Sequence, residues 1–511
     1  MKKIKSTYIY NLLYLCVAAV VLCMSACQED TVEAPVITGV VNYAASPNDT
    51  TVHTIQTGQW VVLQGRNLSG VTQVYFGSVP ATINTTFFTD NSIVVQLPSI
   101  PFEKVPASEL NVITAISEGG TATYTISITG APIISYIRNY ESSPNDTIVH
   151  VLYPGDEINI VGYNLKDATQ ISFQGIAADL RIVVYTDTSA VVQVPIDLSG
   201  SDATLANMIT YTTAIGAGVF PIKIVGPPVI SGVSYEVPHE GDQVYVYGYN
   251  FVSIESFTFA GVPITSYEVS SDESTIGFVA PVLTQGGPVE IITLGGAFTT
   301  AYNVNDVATG RLSDFEWDGS FQWEWWAASL GVDDASINEG WISVFPEFVG
   351  NGTKFLVLKT SIISAGSGDE WSTAVRVPEV QWVPAENISD PVSSWALKFE
   401  INIPQAWNGS TLCIKTESGD YMARYEPWQI TDTKTADYVT DGWQTVTIPL
   451  SSFRKNDAQL GDGKGDPVGN LTQLLGADGI GSLRIYPHNY GSSDSKTIFN
   501  GALDNFRVVK R

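Results

Sequence analysis

The sequence predicts an all-β protein in which three tandem β-sandwiches precede a larger C-terminal β-sandwich. Short motifs recur with a period of about 97 residues through the first three hundred positions, which is typical of tandem domains. Eleven of the twelve tryptophans lie between Trp317 and Trp443, after the recurring motifs have ended. Short alternating strands separated by Gly, Asn, Pro and Asp run through both parts, and a chain of 511 residues needs several hydrophobic cores.

The charge balance excludes one class of partner. The chain carries 25 Lys and Arg against 52 Asp and Glu, a formal net charge of −27. No basic patch is available to replace the counterions of a phosphate backbone, so we expect no nucleic-acid partner. The acidic residues are dispersed along the sequence, as expected for solvated surface charge.

Residues 1–26 are predicted to be a targeting signal rather than part of a fold. Three lysines within the first five residues precede an apolar stretch over residues 8–23, which is too short for a comfortable membrane span. The stretch ends in Met24-Ser25-Ala26-Cys27, which resembles the bacterial lipobox, although Met24 replaces the usual Leu. The resemblance implies lipidation of Cys27, with residues 27–33 as an acylated tether. An ordinary cleaved signal peptide is the alternative.

The residues after Cys27 bear on the destination of the protein. Gln28, Glu29 and Asp30 resemble the acidic surface-export signal of Bacteroidetes lipoproteins. This resemblance implies a lipid-anchored protein on the outer face of the outer membrane.

Only Cys413 remains among the four cysteines once the signal is removed and Cys27 is acylated. The mature chain is therefore predicted to have no intramolecular disulfide and no thiolate metal cluster. Because Cys413 lies in a strand-like run, it is predicted to be a small buried hydrophobe. The four histidines are dispersed, and we predict no metal site and no cofactor.

The repeats are defined by three motifs. Ala34-Pro35-Val36-Ile37 recurs as residues 131–134 and again, with Pro in place of Ala, as residues 227–230. A Gly-x-Asn-hydrophobe corner follows in each copy, and a phenylalanine lies nine residues after each Asn. The corners are residues 65–68, 162–165 and 248–251, and the phenylalanines are Phe76, Phe173 and Phe259. The motifs predict domains over residues 34–131, 132–226 and 227–305.

These motifs resemble the IPT/TIG immunoglobulin-like domain. The Gly-x-Asn corner fits a turn that needs positive φ, which Gly and Asn tolerate. The corner and the following Phe-Gly strand, Phe76-Gly77 in the first copy, are similar to that family. The resemblance implies three immunoglobulin-like sandwiches over about residues 34–305, a fold that often serves as a spacer. The short junctions contain proline, which predicts a semi-rigid rod.

Residues 306–511 are predicted to form one larger sandwich. Apolar and polar side chains alternate over residues 394–403, which places Trp395 on an apolar face with four other large hydrophobes and predicts that it is in the core. Trp443 is also predicted to be in the core. The segments 443–453 and 503–509 resemble the closing strands of jelly-roll carbohydrate-binding modules, so we expect a jelly-roll-like sandwich.

Aromatic residues in polar surroundings are the candidate ligand-binding residues. Aromatic faces stack on the C–H-rich face of a pyranose, and planar polar groups hydrogen-bond to vicinal hydroxyls. Four segments interleave the two residue types: residues 321–326, the surroundings of Trp371, residues 419–428 and residues 484–490. The predicted glycan-binding residues are Trp323, Trp325, Trp326, Trp371, Tyr421, Arg424, Trp428, Tyr486, His488 and Tyr490.

The combination of a lipidated cysteine, tandem immunoglobulin-like domains and a tryptophan-rich C-terminal sandwich resembles the surface glycan-binding proteins encoded in Bacteroidetes polysaccharide-utilisation loci. The resemblance implies a non-catalytic protein that captures xyloglucan or another β-glucan for uptake. It also implies a SusD-like lipoprotein, a TonB-dependent transporter and surface endoglycanases as partners.

Two other functions remain open from the residues. Glu324, Glu370, Glu400 and Glu426 are candidates for the two carboxylates of a glycoside hydrolase, although no catalytic motif surrounds them. An adhesin or another protein-binding lipoprotein is the second alternative, because immunoglobulin-like rods often present adhesive tips.

Overall fold

The computed structural model describes residues 32–83, 85–140, 146–198, 201–316, 324–325, 329–332, 342–350, 352–368, 375–416 and 421–511. Over these residues the chain is nearly all β and forms two compact units, which divide between Ile224 and Val225. The predicted all-β fold of tandem sandwiches is confirmed. In the described ranges no helix is long and apolar enough to cross a membrane. The targeting signal and Cys27 lie outside these ranges.

The first repeat contains two four-stranded sheets around a shared core and one short parallel strand pair. Its strands are β1 (Val36–Asn42), β2 (Thr54–Gln56), β3 (Trp60–Arg66), β4 (Val71–Phe76), β5 (Val79–Pro80), β6 (Thr82–Ile83), β7 (Ser92–Gln96), β8 (Val112–Ser117), β9 (Gly120–Thr125) and β10 (Ser127–Thr129). The sheets have the orders β1-β3-β7-β6 and β5-β4-β8-β9, and β2 pairs with β10.

The second repeat has the same arrangement. Its strands are β11 (Ile133–Asn139), β12 (Val151–Leu152), β13 (Glu157–Tyr163), β14 (Ala168–Phe173), β15 (Ile176–Ala177), β16 (Val184–Tyr185), β17 (Ser189–Gln193), β18 (Met208–Thr213), β19 (Ala217–Pro221) and β20 (Lys223–Ile224). The sheet orders are β11-β13-β17-β16 and β15-β14-β18-β19, and β12 pairs with β20.

The third repeat is shorter and keeps the two four-stranded sheets. Its strands are β21 (Val229–Val233), β22 (Gln243–Tyr249), β23 (Ile254–Phe259), β24 (Val262–Pro263), β25 (Glu268–Val269), β26 (Thr275–Val279), β27 (Val289–Thr293) and β28 (Gly296–Thr299). The orders are β21-β22-β26-β25 and β24-β23-β27-β28. Phe76, Phe173 and Phe259, the recurring phenylalanines, are fully buried in their cores.

The Gly-x-Asn corner has two separate physical requirements. The asparagine takes positive φ in every copy, 57° at Asn67, 57° at Asn164 and 62° at Asn250. Each Asn side chain also donates to a backbone carbonyl upstream, 33 residues away for Asn67 and Asn164 and 23 residues away for Asn250, which donates to Pro227 O at 3.0 Å. The glycine is required by a close approach instead. A Cβ on Gly248 would lie 1.9 Å from Val229 O, and the other two corner glycines are equally close to a carbonyl.

The C-terminal domain is a sandwich of two large sheets. Its elements are β29 (Arg311–Ser313), β30 (Glu324–Trp325), β31 (Ser329–Val332), β32 (Ser343–Val344), β33 (Phe355–Lys359), β34 (Ile363–Ser364), β35 (Val375–Gln381), β36 (Trp395–Asn402), β37 (Thr411–Lys415), β38 (Tyr421–Tyr425), β39 (Gln429–Thr431), β40 (Lys434–Thr435), β41 (Gln444–Pro449), β42 (Arg454–Lys455), the short helix α1 (Leu471–Leu475), β43 (Ile480–His488), β44 (Lys496–Thr497) and β45 (Asn500–Lys510). The first sheet has the order β32-β31-β33-β45-β36-β41, with β29 also on β45, and the second has the order β30-β35-β43-β37-β38-β42.

The core between these sheets is rich in large aromatic and aliphatic side chains. Phe399 stacks on Phe506 at a centroid distance of 4.8 Å, and Trp395 belongs to the same core. The core position predicted for Trp395 is confirmed, whereas Trp443 is buried in a separate cluster that includes Tyr235 of the third repeat. Each such side chain contributes on the order of 1.5–3 kcal/mol by its burial.

The polar face of β36 is buried as well. The alternation places Lys398 and Glu400 opposite the core residues, yet they are only 1% and 0% exposed, because the third repeat covers this face. Tyr235 of the third repeat packs into a cluster with Phe355 and Trp443. Thr445 N donates to Ser234 O at 2.7 Å, so backbone hydrogen bonding also joins the two parts.

Four charged side chains form a network at this contact. Arg507 donates to both oxygens of Glu400, at 2.9 and 3.0 Å, and to Glu236 Oε2 at 2.9 Å. Lys398 forms an ion pair with Glu236 and lies 3.1 Å from the ring centroid of Tyr302. Burial lowers the pKa of Lys398 to about 8, although the Glu236 carboxylate acts in the opposite direction. Two cations, Lys398 and Arg507, thus face two carboxylates, Glu236 and Glu400, in a buried interface.

Candidate functional site

The described parts of the four predicted segments lie in or next to the second sheet of the C-terminal domain. Trp325 is in β30 at its edge, and β35 begins four residues after Trp371. The segment 419–428 supplies β38, and the segment 484–490 continues β43 beyond its end at His488. Since β35, β43, β37 and β38 are consecutive neighbours, segments far apart in sequence lie side by side.

One face of this sheet packs on the core, and we call the opposite one the outer face. Cross-strand register assigns its members, because directly paired residues point to the same side. Arg376 pairs with Arg484, Arg484 with Lys415, and Tyr486 with Cys413. The outer face comprises Arg376, Thr411, Cys413, Lys415, Met422, Arg424, Arg484, Tyr486 and His488. Arg376, Arg484 and Lys415 lie side by side on adjacent strands of this face. Such a cluster of cations is unusual in so acidic a chain.

Tyr490 is at the centre of the aromatic part of this site. The guanidinium carbon of Arg424 lies 4.3 Å from its ring centroid, and the His488 ring centroid lies 4.1 Å away at 34°. The Tyr490 hydroxyl donates to Asp462 Oδ2 at 3.0 Å. Burial, followed by the neighbouring Cys413 and other groups, raises the pKa of Tyr490, so the phenol stays neutral and acts as a donor.

The Arg424 side chain is held in place by several acceptors. Its Nη2 donates to Glu426 Oε1 at 2.6 Å and to Thr411 Oγ1 at 3.1 Å, and Nη1 donates to Asp462 O at 3.3 Å. Its Nε is buried and has no hydrogen-bond partner in the described part of the chain. A planar guanidinium fixed beside an aromatic ring is suited to bind a ligand that offers both hydroxyl oxygens and C–H faces.

His488 connects this cluster to the segment of Trp371. Its Nδ1 donates to Gly368 O at 2.9 Å, because a carbonyl can only accept. A Cβ on Gly368 would lie 2.4 Å from His488 Cα, so the two backbones are in close contact.

The remaining predicted residues have different positions. Tyr486 is on the outer face but is only 5% exposed, under a contact with Met422. Tyr421 is 4% exposed on the core side of β38, so its ring is not an open platform. Trp428 is half-buried against the core and donates from Nε1 to Ser410 O at 2.7 Å. Trp323, Trp326 and Trp371 lie outside the described residues, as does the side chain of Trp325.

Several members of the site were not among the predicted residues. Sheet register adds Arg376, Lys415 and Arg484 to the site, and hydrogen bonds add Asp462 and Glu426. Of these five residues, Arg484 and Glu426 lie within the four predicted segments. Because side chains alternate between the two faces of a strand, Arg484 lies on the same face as Tyr486 and His488, and this spacing could have identified it. No local signal connects Asp462 with Tyr490.

The two candidate hydrolase carboxylates that the structure describes, Glu400 and Glu426, do not come together. Glu400 is fully buried against the third repeat on the first sheet, while Glu426 is bound to Arg424 on the second. Glu370 and the side chain of Glu324 are outside the described residues. Glu400 and Glu426 therefore do not form the facing pair that glycoside hydrolysis uses.

Two segments of the chain match known domain families. Residues 304–510 match the family described as surface glycan-binding protein B xyloglucan binding domain, and residues 44–129 match the IPT/TIG domain. No curated protein sequence matches the chain.

Several solved structures are similar to it. One, determined with a xylogluco-oligosaccharide, is 20% identical with a TM-score of 0.54 and covers 94% of this chain and 100% of its own. The surface glycan-binding protein PbSGBP-B from Prevotella bryantii is 18% identical, covers 75% of this chain and 99% of its own, and has a TM-score of 0.45. An SGBP-B from a Bacteroides uniformis xyloglucan utilisation locus is 18% identical, with 75% and 100% coverage and a TM-score of 0.38.

The predicted resemblance is confirmed by the two family matches. The C-terminal domain matches the xyloglucan-binding domain of surface glycan-binding protein B, and it follows an IPT/TIG domain in the chain.

Proposed function

We propose that the chain is a non-catalytic surface protein that binds xyloglucan or a related β-glucan at the outer face of its C-terminal domain. The observation that carries the proposal is the convergence of Arg424, His488 and Tyr490 on one sheet face of the domain that matches the xyloglucan-binding family. Trp323, Trp325, Trp326 and Trp371 complete the proposed site as aromatic platforms from adjoining segments.

The chemistry of this face suits an uncharged glycan. Aromatic rings offer flat faces to the C–H side of each sugar, and Arg424 together with the carboxylates of Glu426 and Asp462 offers donors and acceptors to hydroxyls. On the aromatic-pair scale of about 0.5–1.5 kcal/mol, three or four platforms yield only a few kcal/mol. We therefore expect Kd values in the range of roughly millimolar to micromolar for one chain segment.

We further propose that acylated Cys27 anchors the protein on the outer face of the outer membrane. A SusD-like lipoprotein and a TonB-dependent transporter are the proposed partners, which would take up the captured glycan. Many anchored copies on one cell raise the effective avidity for a polymer with many binding segments.

Affinity electrophoresis of the full chain in gels that contain xyloglucan, mixed-linkage glucan, mannan or starch tests the binding proposal. We expect retardation by xyloglucan or mixed-linkage glucan. Trp371→Ala should weaken binding about tenfold, which corresponds to roughly 1.4 kcal/mol. Trp60→Ala removes an exposed tryptophan of the first repeat and should leave binding unchanged.

Two outcomes would overturn the proposal. Absence of retardation by every glycan would favour the adhesin. Release of reducing ends that a single Glu→Gln change abolishes would favour the hydrolase.

A further inference from the structure

A row of three exposed tyrosines lies on the third repeat. Tyr245, Tyr247 and Tyr249 occupy every second position of β22 and are 42%, 44% and 55% exposed. The intervening Val244 and Val246 are fully buried in the core of the repeat. The period of two therefore places all three phenols on the solvent side of one sheet, about 7 Å apart along the strand.

The other repeats show that the fold does not need these aromatic rings. The corner glycines Gly65, Gly162 and Gly248 make the same close backbone contact and so align the three strands. The positions of the tyrosine row are taken by Val62, Gln64 and Arg66 in the first repeat and by Asn159, Val161 and Tyr163 in the second. Two sheets of the same topology thus form without a tyrosine row. Its presence in the third repeat calls for a reason other than folding.

Tyr245 is seated as a fixed platform. Its strand partner across the sheet is Gly277, and a Cβ built on Gly277 would lie 3.1 Å from Tyr245 Cε1 and 3.3 Å from Cδ1. The Tyr245 ring therefore lies over the backbone of Gly277. A side chain at position 277 would occupy the same space. One ring face rests on the sheet while the side chain remains 42% exposed, so a ligand can stack on it with little loss of side-chain entropy.

The row continues into a cleft against the C-terminal domain. This cleft of about 320 Å³ is lined by Tyr245 and Tyr247 together with Asp242, Gln243, Asp441 and Gln444. Among the residues that the structure describes, its polar lining consists of carboxylates, amides, hydroxyls and backbone and includes no lysine or arginine. Both walls belong to one compact unit and are held together by the buried Glu236–Arg507 network.

We propose that the tyrosine row and this cleft form a second glycan-binding surface, which takes another stretch of uncharged polysaccharide. The ligand class rests on the proposed function of the C-terminal domain. An anionic ligand would be repelled by Asp242 and Asp441, whereas hydroxyl groups can hydrogen-bond to those carboxylates and to Gln243 and Gln444. A flat, open row suits an extended chain rather than a compact small molecule. Two surfaces on one unit favour long polymers, because the second contact is intramolecular.

The test replaces two tyrosines with the residues of the second repeat. The double variant Tyr245→Asn, Tyr247→Val should fold normally, since Asn159 and Val161 occupy these positions in a sheet of the same topology. Calorimetric titration of the full chain with polymeric xyloglucan should show about tenfold weaker binding for this variant, in line with the loss of a second contact. Tyr43→Asn, which removes a 57% exposed tyrosine from the first repeat, is the matched control and should bind as the wild type does.

Combination with Trp371→Ala separates this inference from the proposed function. We expect weak polymer binding to persist in Trp371→Ala and to disappear in the triple variant. Wild-type polymer affinity in the Tyr245, Tyr247 double variant, with an unchanged unfolding midpoint, would overturn the second surface and leave the C-terminal site intact. A wild-type chain that binds no glycan would overturn the proposed function itself.

Discussion

Arg507 Nη2 lies 2.9 Å from Glu236 Oε2, although 271 residues separate the two. Glu236 belongs to the third repeat and Arg507 to the last strand of the C-terminal sandwich. Since both groups are 2% exposed, neither charge has water as an alternative partner. The third repeat is therefore fixed to the glycan-binding domain, and it presents its tyrosine row at a defined position beside that domain.

Glu236→Gln should strongly destabilise the unit formed by residues 225–511. The change leaves Lys398 and Arg507 buried with Glu400 as the one remaining carboxylate of the network, and loss of one partner from a buried network costs about 3–5 kcal/mol. The urea midpoint of the full chain measures this effect. Glu240→Gln, at an exposed position of the same repeat, should change stability by less than about 0.5 kcal/mol. Equal shifts for the two variants would contradict a structural role for the network.

A fragment of residues 225–511 should fold, whereas a fragment of residues 306–511 should be unstable or aggregate. The shorter piece lacks Tyr235 and Glu236, so it exposes the apolar cluster around Phe355 and leaves Lys398 and Arg507 without one of their carboxylates. Light scattering and thermal unfolding of the two purified fragments compare them directly. A shorter fragment that is monomeric and equally stable would show that the interface contributes little.

Gly248→Ala should cost about 1–3 kcal/mol or more, because the new Cβ would lie 1.9 Å from Val229 O and the strand pair β21-β22 must separate. Gly232→Ala is the matched control in the same strand pair, since a Cβ there meets no atom within 4 Å. Chemical denaturation of both variants gives the comparison. Similar stabilities would mean that the corner accommodates a side chain by local adjustment.

The thiol of Cys413 should be unreactive in the folded protein. The predicted burial of this residue is confirmed, and burial raises the pKa of the thiol to about 12. Since the folded pKa exceeds the ordinary 9.0, the group contributes stability that is complete below about pH 9 and is lost as the pH rises through about 12. Ellman's reagent at pH 8 should modify Cys413 only after unfolding in urea. Rapid reaction of the native chain would contradict the buried position.

The repeats and their sandwich fold were predictable because their determinants are local. Asn67, Asn164 and Asn250 adopt positive φ as their residue type predicts, and the phenylalanines nine positions later enter the core through the period of two. The glycines of the same corner have a different reason, a carbonyl on the neighbouring strand. That contact depends on strand pairing, which the residues around Gly65 do not encode.

Part of the candidate site was also predictable. Arg424, His488 and Tyr490 were identified because aromatic and polar residues interleave in two short segments, and the structure brings them together. The same pattern selected Tyr421, whose ring packs in the core. A sequence that interleaves aromatic and polar residues indicates a strand with two chemically different faces. The packing of the sheets decides which of these faces is exposed to a ligand.

The sequence by itself determined the spacing of the repeated motifs, the strand periodicity and the concentration of aromatic residues in the last two hundred positions, because these depend on residue type and spacing. Only the tertiary structure decided that residues 324–325, 421–425 and 480–488 share one sheet and that Lys398 and Glu400 face the third repeat instead of water. Both results depend on contacts between residues far apart in the chain. Such contacts are fixed by sheet order and domain packing, for which no local pattern of side chains is sufficient.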